Sequence, residues 1–211
     1  MDQEESPAVL LLFVSQARFM KGAPQSKGLL VVGHPYLLED SKATLAIVQG
    51  LCQQIPDLDC VCLAQEYPDY QIDRVREQAR LTQADYVILQ FPIFWYGIPS
   101  DLQRWLEEVF QFGFSHGIEH GQGPLVGKQL IVSFTCSAKE TVLNQASTQP
   151  GRLEDLVDPL VALAKFTQMD YLGHVVTTGL GYLARQDPRM AVRTTHHVTQ
   201  VIEKLKAANL L

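Results

Sequence analysis

The sequence has 211 residues, of which 46% are hydrophobic and 19% are charged, and its net charge at neutral pH is −6. This length and composition predict one soluble globular domain with a sizeable core. The acidic net charge, together with the lack of a basic stripe, excludes a general nucleic-acid-binding role.

Residues 1–27 are predicted to form an extension that precedes the main domain, residues 28–211. The apolar stretch 8–14 of this extension is far too short to span a bilayer, and acidic residues stand where a signal peptide needs positive charge. We therefore expect a cytoplasmic protein. The apolar stretch would cover an edge of the sheet, or alternatively contact a partner.

Strands and helices are predicted to alternate along the chain. Strands are predicted over residues 28–33, 58–63, 86–92, 128–135 and 173–178. Helices are predicted over residues 41–51 and 72–84, from residue 100 onward, within 149–171 from about residue 153, and over 194–209. This alternation predicts an α/β fold, a flavodoxin-like sheet of five parallel strands with helices on both faces.

The third predicted strand leads into an aromatic loop and then into a helix. Pro92 ends the strand because it has no N–H to donate, and residues 93–96 follow as exposed aromatic bulk. Ser100 and Gln103 have the Ser-x-x-Gln form of a capping box at the helix start. The apolar face of the helix, with Trp105 in the core, consists of Leu102, Trp105, Leu106 and Val109.

The aromatic loop is a candidate binding site for a flat ring. Ligands of open α/β sheets bind beyond the carboxyl ends of the strands, which is where this loop lies in the predicted fold. Exposure of several aromatic side chains to water is unfavourable, so a ligand or another protein surface is expected to cover this loop. Stacking on a ring and burial in a dimer both remain open and are compatible with each other.

The helix after the first strand is a candidate phosphate site. A helix N-terminus offers unpaired N–H groups and the positive end of a dipole. Ser41 and Thr44 would add hydroxyl groups and Lys42 would add a charge, although a Ser at a helix start is usually only a cap. His34 precedes this helix, and a structural and a functional role are equally open for it. The sequence has no Gly-x-Gly-x-x-Gly motif and no Gly-Lys-Ser/Thr phosphate loop.

The remaining candidate ligand residues favour structural roles. The four cysteines, Cys52, Cys60, Cys62 and Cys136, are predicted to be buried reduced thiols. His116 and His120, with Glu119 nearby, are weak evidence for a metal in a glycine-rich stretch, so we expect a mobile loop there and no metal site. His196 and His197 are predicted to lie at the surface.

Three motifs carry a resemblance to a known family. They are Gly33–His34–Pro35–Tyr36, the run from Phe91 to Pro99, and Leu102-x-x-Trp105 followed by Glu108–Val109–Phe110. Together they resemble the flavodoxin-like NAD(P)H:quinone oxidoreductases, and among these the ancillary quinone reductases of glutathione-gated potassium efflux systems. The resemblance extends from about Gly28 over most of the chain.

The resemblance implies a homodimer with FMN, or alternatively FAD, in each subunit. It implies a two-electron hydride transfer from NAD(P)H, the co-substrate, through the bound flavin to a quinone. Backbone N–H groups at Trp95 and Ser137 would stabilise negative charge on the reduced ring. By position, the residues implied to hold the flavin are His34, Ser41, Lys42, Ala43, Thr44, Ile93, Phe94, Trp95, Tyr96, Thr135, Cys136, Ser137 and Ala138.

Three departures from the family pattern bear on the site. The stretch from His34 to Ser41 is one residue longer than in close relatives. Relatives usually have Thr-Thr-Gly-Gly where this chain has residues 135–138, and the loss of glycines predicts weaker flavin binding or a reshaped loop. His116 stands where relatives often have Tyr, so His116 and Phe94 are candidate substrate contacts.

A regulatory function is the leading alternative to an enzyme. The chain would then be an ancillary subunit that docks on a membrane potassium efflux antiporter, at the inner face of the membrane, with weak or lost catalysis. A one-electron flavodoxin carrier is a third option, and the long stretch 112–127 argues for a substrate pocket instead.

Overall fold

The computed structural model describes residues 26–139, 141 and 152–211. Residues 1–25, which include the apolar stretch of the predicted N-terminal extension, lie outside the described residues.

Five parallel strands form one sheet. They are β1 (Gly28–Val32), β2 (Asp59–Cys62), β3 (Tyr86–Pro92), β4 (Gln129–Thr135) and β5 (Asp170–Thr177). Their order across the sheet is β2-β1-β3-β4-β5, and each neighbouring pair is parallel. This order confirms the predicted flavodoxin-like fold, and it brings the carboxyl ends of β1, β3, β4 and β5 together at one edge.

The helices of the described residues lie around this sheet. They are α1 (Leu37–Asp40), α2 (Lys42–Gln54), α3 (Leu63–Glu66), α4 (Arg74–Gln83), α5 (Ser100–Val109), α6 (Leu153–Phe166), α7 (Met190–Ala207) and a 3-10 helix (Tyr182–Gln186). None of the helices within the described ranges has the length and apolar character needed to cross a membrane.

Each face of the sheet carries its own apolar core. Alternate residues of β3 point to opposite faces, so Leu89 and Phe91 join one core while Ile88 joins the other. Helices α4, α5 and α6 pack on the first face, and α2 and α7 pack on the second. Trp105 of α5 is 0% exposed, which confirms its predicted core position.

Helix α6 lies within the predicted range 149–171 and begins at Leu153, as predicted, whereas the start of β5 differs from the prediction. The helix ends at Phe166 because Gln168 takes a left-handed backbone conformation, with φ of 59°. The N–H of Met169 then donates to the carbonyl of Ala164 at 2.9 Å, which closes the last turn. Strand β5 therefore begins at Asp170 rather than at residue 173. Glycine or asparagine usually takes this conformation at a helix end, so a glutamine does not mark the helix end in the sequence.

The predicted capping box at the start of α5 is wrong. Pro99 is the N-cap residue, and its extended backbone sets the boundary of the helix. Ser100 is therefore the first helical residue, and its hydroxyl shares a hydrogen bond with the Tyr70 hydroxyl at 3.2 Å. The Gln103 side chain donates to the Glu107 carboxylate at 2.7 Å instead of returning to the cap.

The predicted surface position of His197 is also wrong, since its side chain is 0% exposed, whereas His196 is exposed. The ring lies between α7 and the sheet, with Nδ1 2.8 Å from the Thr177 hydroxyl and Nε2 2.7 Å from the Ser133 hydroxyl. The Ser133 hydroxyl donates to the Gln90 side-chain oxygen at 2.5 Å. A buried chain of polar groups thus links α7 to three strands.

Glu77 of the charged helix α4 is likewise 0% exposed. Its carboxylate accepts hydrogen bonds from Trp105 Nε1 at 2.9 Å and from the Tyr67 hydroxyl at 2.7 Å. Arg80 Nη1 donates to the same carboxylate at 2.8 Å. The buried carboxylate is therefore paired with Arg80 and accepts hydrogen bonds from three side chains, which offsets the cost of its burial.

All four cysteines are free thiols. Cys136 is buried, and the other three are partly buried. Cys60 and Cys62 pack against the same core, which agrees with the prediction that alternate residues of this strand share one face.

Candidate functional site

A cleft of ≈ 250 Å³ opens at the carboxyl edge of the sheet. The loops that follow β1, β3, β4 and β5 supply its walls, together with the first turn of α2. Ten of the thirteen residues predicted to hold a cofactor line it: His34, Ser41, Lys42, Ala43, Thr44, Ile93, Phe94, Thr135, Cys136 and Ser137. Trp95, Tyr96 and Ala138 are not among the lining residues.

The first turn of α2 forms one end of the cleft. Ser41 caps the helix, and its hydroxyl accepts a hydrogen bond from the N–H of Thr44 at 3.2 Å. Backbone N–H groups at the start of a helix have no partner within it, so those of Lys42 and Ala43 are available to an anion. The charge of Lys42 favours an anion as well.

The hydroxyl of Thr44 is the unusual atom at this end of the cleft. Thr44 is 1% exposed, and its Oγ1 has no hydrogen-bond partner among the described residues. A buried hydroxyl without a partner costs about 1–3 kcal/mol. Because Thr44 also lines the cleft, a ligand in the cleft is a candidate for the missing partner.

His34 ties the loop after β1 to α5. Its backbone N–H donates to Asp101 Oδ2 at 2.8 Å, and its Nδ1 accepts from the N–H of Tyr36 at 3.1 Å. Its ring meets the Phe94 ring edge-on, with 5.6 Å between the ring centres. His34 is thus a structural link that also forms part of the cleft wall, and its functional role stays a prediction.

Burial raises the pKa of Asp101, and hydrogen bonds from the backbone N–H groups of Leu102 and His34 oppose that rise. The neighbouring Gly33 permits this arrangement, because a Cβ there would lie 2.6 Å from the Cβ of Leu102. The glycine of the Gly-His-Pro motif therefore lets α5 approach the end of β1.

The aromatic loop is a tight turn with a strained backbone. Phe94 and Gly97 exchange two backbone hydrogen bonds of 3.0 Å each. Between them, Trp95 and Tyr96 have φ of 49° and 64°, the left-handed values of a type I′ turn. Trp95 is 97% exposed. The turn presents two large rings from a conformation that usually requires Asn or Gly.

Replacing Trp95 by Asn together with Tyr96 by Gly is expected to stabilise the protein by about 1–2 kcal/mol. The left-handed conformation costs a bulky L-residue on the order of 1–2 kcal/mol, and Asn-Gly is the preferred pair in this turn. Urea denaturation measures the change in the free energy of unfolding. The double variant with Ala at both positions, which loses the rings but keeps the strain, serves as the control and should show no gain. Equal stability of the two variants would contradict the assignment of strain.

The loop after β4 tolerates its lack of glycines. None of the residues 135–138 has a positive φ, so the backbone there is ordinary for any residue. The glycines lie on the facing loop instead. Gly179 has φ of 63°, and a Cβ at Gly181 would lie 3.1 Å from the Cβ of Ser137. The side chains of the loop after β4 therefore pack against glycines of the loop after β5.

The loop after β5 contributes residues to the cleft that the sequence analysis missed. Its backbone is fastened to the loop after β4, since the N–H of Leu180 donates to the carbonyl of Cys136 at 2.9 Å. The two glycines that flank Leu180 were the available signal for a close approach. The residues that line the cleft without having been predicted are Asp40, Pro92, Leu180, Gly181, Tyr182, Ala184 and Met190.

Cys136 has a structural rather than a nucleophilic environment. Burial raises the pKa of its thiol, so the reactive thiolate is disfavoured at neutral pH. The thiol lies 3.4 Å from the carbonyl of Ala138 and donates a weak hydrogen bond to it.

His116 does not line the cleft. Its ring packs against Phe112 and Phe166, with ring centres 5.8 and 5.5 Å apart, and its Nδ1 lies 3.0 Å from the Ser115 hydroxyl. Its predicted contact with a substrate therefore stays a prediction. In the part of the chain that the structure describes, no three His, Cys, Asp or Glu side chains cluster so as to hold a metal ion.

Comparisons with known proteins agree with this architecture. The model of the Flavodoxin_2 family, described as a flavodoxin-like fold, matches residues 26–201. A Bacillus subtilis protein named as the uncharacterized NAD(P)H oxidoreductase YdeQ is 28% identical over 176 residues, which cover 83% of this chain and 87% of that protein.

Two solved structures share the fold. General stress protein 14 of Treponema denticola, solved in complex with FMN, has a TM-score of 0.74 and 21% identity over 86% of this chain and 98% of that chain. An NADPH-quinone reductase from P. pentosaceus has a TM-score of 0.67 and 21% identity over 83% and 96% of the two chains.

Proposed function

This chain belongs to the Flavodoxin_2 family, of flavodoxin-like fold, and on that premise we propose that it is an FMN-dependent NAD(P)H oxidoreductase that reduces quinones. The proposal is supported by a relative named as an NAD(P)H oxidoreductase, by a structural neighbour that binds FMN and by another named as a quinone reductase. FAD is the alternative cofactor, because it contains the same ring system and the same first phosphate.

The observation that carries the proposal is the unpaired buried hydroxyl of Thr44 at the start of α2. A phosphate would accept hydrogen bonds from this hydroxyl and from the free N–H groups of the first helical turn, and Lys42 would balance its charge. The apolar side chains of Ile93 and Phe94 lie farther along the same cleft and suit a flat ring. The residues present therefore fit a flavin mononucleotide.

A bound flavin would supply the redox chemistry, a two-electron exchange between NAD(P)H and a quinone. The residues of this chain bind and orient it. Phe94, held in place by His34, would contact the ring, and the backbone N–H of Ser137 would stabilise negative charge on it. Trp95, for which the same role is expected from the sequence, does not line the cleft. The buried Cys136 would help to keep water from that side of the cleft.

The test of the proposed function begins with the absorbance spectrum of the purified protein and mass spectrometry of the released chromophore. Anaerobic stopped-flow mixing then follows the flavin absorbance. We expect NADPH or NADH to bleach the flavin and a quinone to restore it. A protein that takes up no flavin, or whose bound flavin neither NADPH nor NADH bleaches, would refute the proposal.

Replacing Thr44 by Val is expected to weaken FMN binding about tenfold. Val has the same shape but lacks the hydroxyl, so one charge-assisted hydrogen bond worth about 1.5–3 kcal/mol is lost. The protein without flavin should be as stable as the parent or more stable, because an unpaired buried hydroxyl is removed. Fluorescence titration gives the Kd for FMN, and denaturation gives the stability.

Two controls sharpen this experiment. Riboflavin lacks the phosphate, so its Kd should be the same for Thr44→Val and for the parent. The variant Thr199→Val changes an exposed threonine of α7 and should leave both ligands unaffected. If Thr44→Val weakens FMN and riboflavin equally, the hydroxyl does not contact the phosphate.

We also propose that the chain forms a homodimer in which a second copy covers exposed aromatic side chains. Trp95, Phe112 and Phe166 are each at least two-thirds exposed, and apolar side chains in such numbers are typical of an interaction surface. Sedimentation velocity would show a species of twice the mass of the chain. A monomer at micromolar concentration would count against a homodimer.

The regulatory alternative, a subunit of a membrane potassium efflux antiporter, depended on two sequence features. The first was the loss of glycines from the loop 135–138, whose backbone has no positive φ; its effect on flavin binding stays a prediction. The second, the apolar stretch 8–14, lies outside the described residues. A colourless protein that co-purifies with an antiporter only when residues 8–14 are present would favour this alternative over an enzyme.

A further inference from the structure

A second pocket, of ≈ 410 Å³, lies beside the cleft. We call it the basic pocket, and its lining residues are Lys139, Thr178, Gly179, Ala184, Asp187, Arg189 and Arg193. Ala184 lines both the basic pocket and the cleft, so the two are direct neighbours. None of the residues predicted from the sequence to hold a cofactor lines the basic pocket.

The charges in the basic pocket do not cancel. Asp187 is paired with Arg189 through both carboxylate oxygens, with Arg189 Nη2 2.8 Å from Oδ2 and Nε 3.0 Å from Oδ1. This pairing lowers the pKa of Asp187 to about 2, so the carboxylate is ionised at neutral pH. The pair is neutral, and the positive charges of Lys139 and Arg193 remain.

Gly179 brings the side chains of Lys139 and Arg193 together. A Cβ at this glycine would lie 3.7 Å from Arg193 Nη2 and 3.8 Å from Lys139 Cγ, so the two side chains flank one bare stretch of backbone. The N–H of Gly179 donates to the carbonyl of Ala138 at 2.7 Å, and Arg193 Nη2 donates to the carbonyl of Thr178. The floor of the pocket and the guanidinium are thus held in place, while Lys139 is exposed and able to adapt.

We propose that the basic pocket binds a phosphate group of an adenine dinucleotide whose redox-active ring occupies the cleft. This inference rests on the proposed function, because it assumes that such a nucleotide enters the cleft. A phosphate carries one to two negative charges and is recognised by closely placed Lys and Arg side chains. The pocket borders the cleft, so one extended ligand can reach both.

Two ligands carry a phosphate of this kind. The first is NADPH, whose 2′-phosphate distinguishes it from NADH. The second is FAD, whose additional adenosine phosphate distinguishes it from FMN. The recognition chemistry is shared, and measurements on matched ligand pairs separate the sources.

The test replaces Lys139 by Gln and by Glu, with the KM values measured on the flavin-loaded protein and the flavin Kd values on the flavin-free protein. If the phosphate belongs to NADPH, the KM for NADPH rises about tenfold in Lys139→Glu and less in Lys139→Gln, while the KM for NADH stays within about twofold of the parent. If the phosphate belongs to FAD, the Kd for FAD rises by a similar factor while that for FMN does not. Either pattern supports the inference.

The variant Lys206→Gln is the matched control, since it removes an exposed lysine charge on α7 about 20 Å along the helix from Arg193. This variant should leave the KM values for NADPH and NADH and the Kd values for FAD and FMN unchanged. Equal changes for both members of each ligand pair, or the same pattern in Lys206→Gln, would overturn the inference, because they would indicate only a general effect of charge.

Calorimetry separates this inference from the proposed function. Adenosine 2′,5′-bisphosphate serves as a probe of the pocket that needs no turnover, and its affinity should fall about tenfold in Lys139→Glu. Such a fall in a protein that does not reduce quinones would leave the inference standing while the proposed function fails. No fall, combined with no discrimination between FMN and FAD, would overturn the inference even in an active enzyme.

Discussion

Replacing Glu77 by Ala is expected to lower the free energy of unfolding by about 3–5 kcal/mol. The carboxylate is 0% exposed and accepts hydrogen bonds from Trp105, Tyr67 and Arg80. Its removal leaves the indole N–H of Trp105 buried without an acceptor and Arg80 without its closest negative charge. Breaking a buried charged network by removing one member has costs of this size. Urea denaturation at neutral pH measures the change.

Two companion variants test the cause of this loss. Glu77→Gln keeps the shape and one acceptor oxygen, so it should lose less stability than Glu77→Ala. Glu203→Ala changes an exposed glutamate on α7 and should stay within about 0.5 kcal/mol of the parent. If Glu77→Ala is no more harmful than Glu203→Ala, the network contributes nothing to stability.

Acidification from pH 6.5 to pH 4 is expected to destabilise the protein by about 3 kcal/mol through His197 alone. Burial, with a smaller contribution from the charge of His196, lowers the pKa of His197 to about 4, against an ordinary value of 6.5. Between these two values the unfolded chain binds the proton and the folded chain does not. Stability conferred by this group is therefore complete above pH 6.5 and declines as the pH falls.

The measurement is the free energy of unfolding at several pH values in this window, for the parent and for His197→Gln. Glutamine does not titrate and can still hydrogen-bond with Ser133 or Thr177. The variant is expected to be less stable at pH 7 but to have a flatter dependence on pH, so the two curves converge toward pH 4. Parallel curves would show that His197 does not titrate in this window.

The fold was predictable because its signals are local. Apolar runs of strand length alternate with segments that have the apolar periodicity of a helix. Because the connections between parallel strands are right-handed, this alternation permits few topologies. Pro92 marked the end of β3, and the apolar spacing around Trp105 identified the buried face of α5. The capping box failed because Pro99, one residue earlier, already supplied the extended boundary of the helix.

The buried polar groups were not predictable in the same way. A glutamate in a charged helix and a histidine beside another histidine are typical of exposed positions. Their burial depends on partners far away in the chain, namely Trp105 for Glu77, and Ser133 and Thr177 for His197. Only the folded chain brings these residues and their hydrogen-bond partners together, and a single sequence carries no signal of which distant residues will pair.

The candidate site was predictable where a motif defines it. The residues carried over from the resemblance follow β1, β3 and β4, and ten of them line the cleft. The loop after β5 was missed because residues such as Leu180 and Ala184 belong to no recognisable binding motif. The basic pocket was missed because its cations come from two segments that are distant in sequence, at Lys139 and Arg193.

The two tryptophans of this chain occupy opposite extremes of environment, since Trp95 is 97% exposed beside the cleft and Trp105 is 0% exposed in the core. Their fluorescence therefore separates into two signals without any label. In the monomer, iodide, which quenches only rings in contact with solvent, should extinguish the red-shifted emission of Trp95 and spare the blue-shifted emission of Trp105. In the proposed homodimer, a second copy that covers Trp95 should protect it from iodide. In a single sample, the emission of Trp95 would then report ligand binding and the emission of Trp105 would report the loss of native packing.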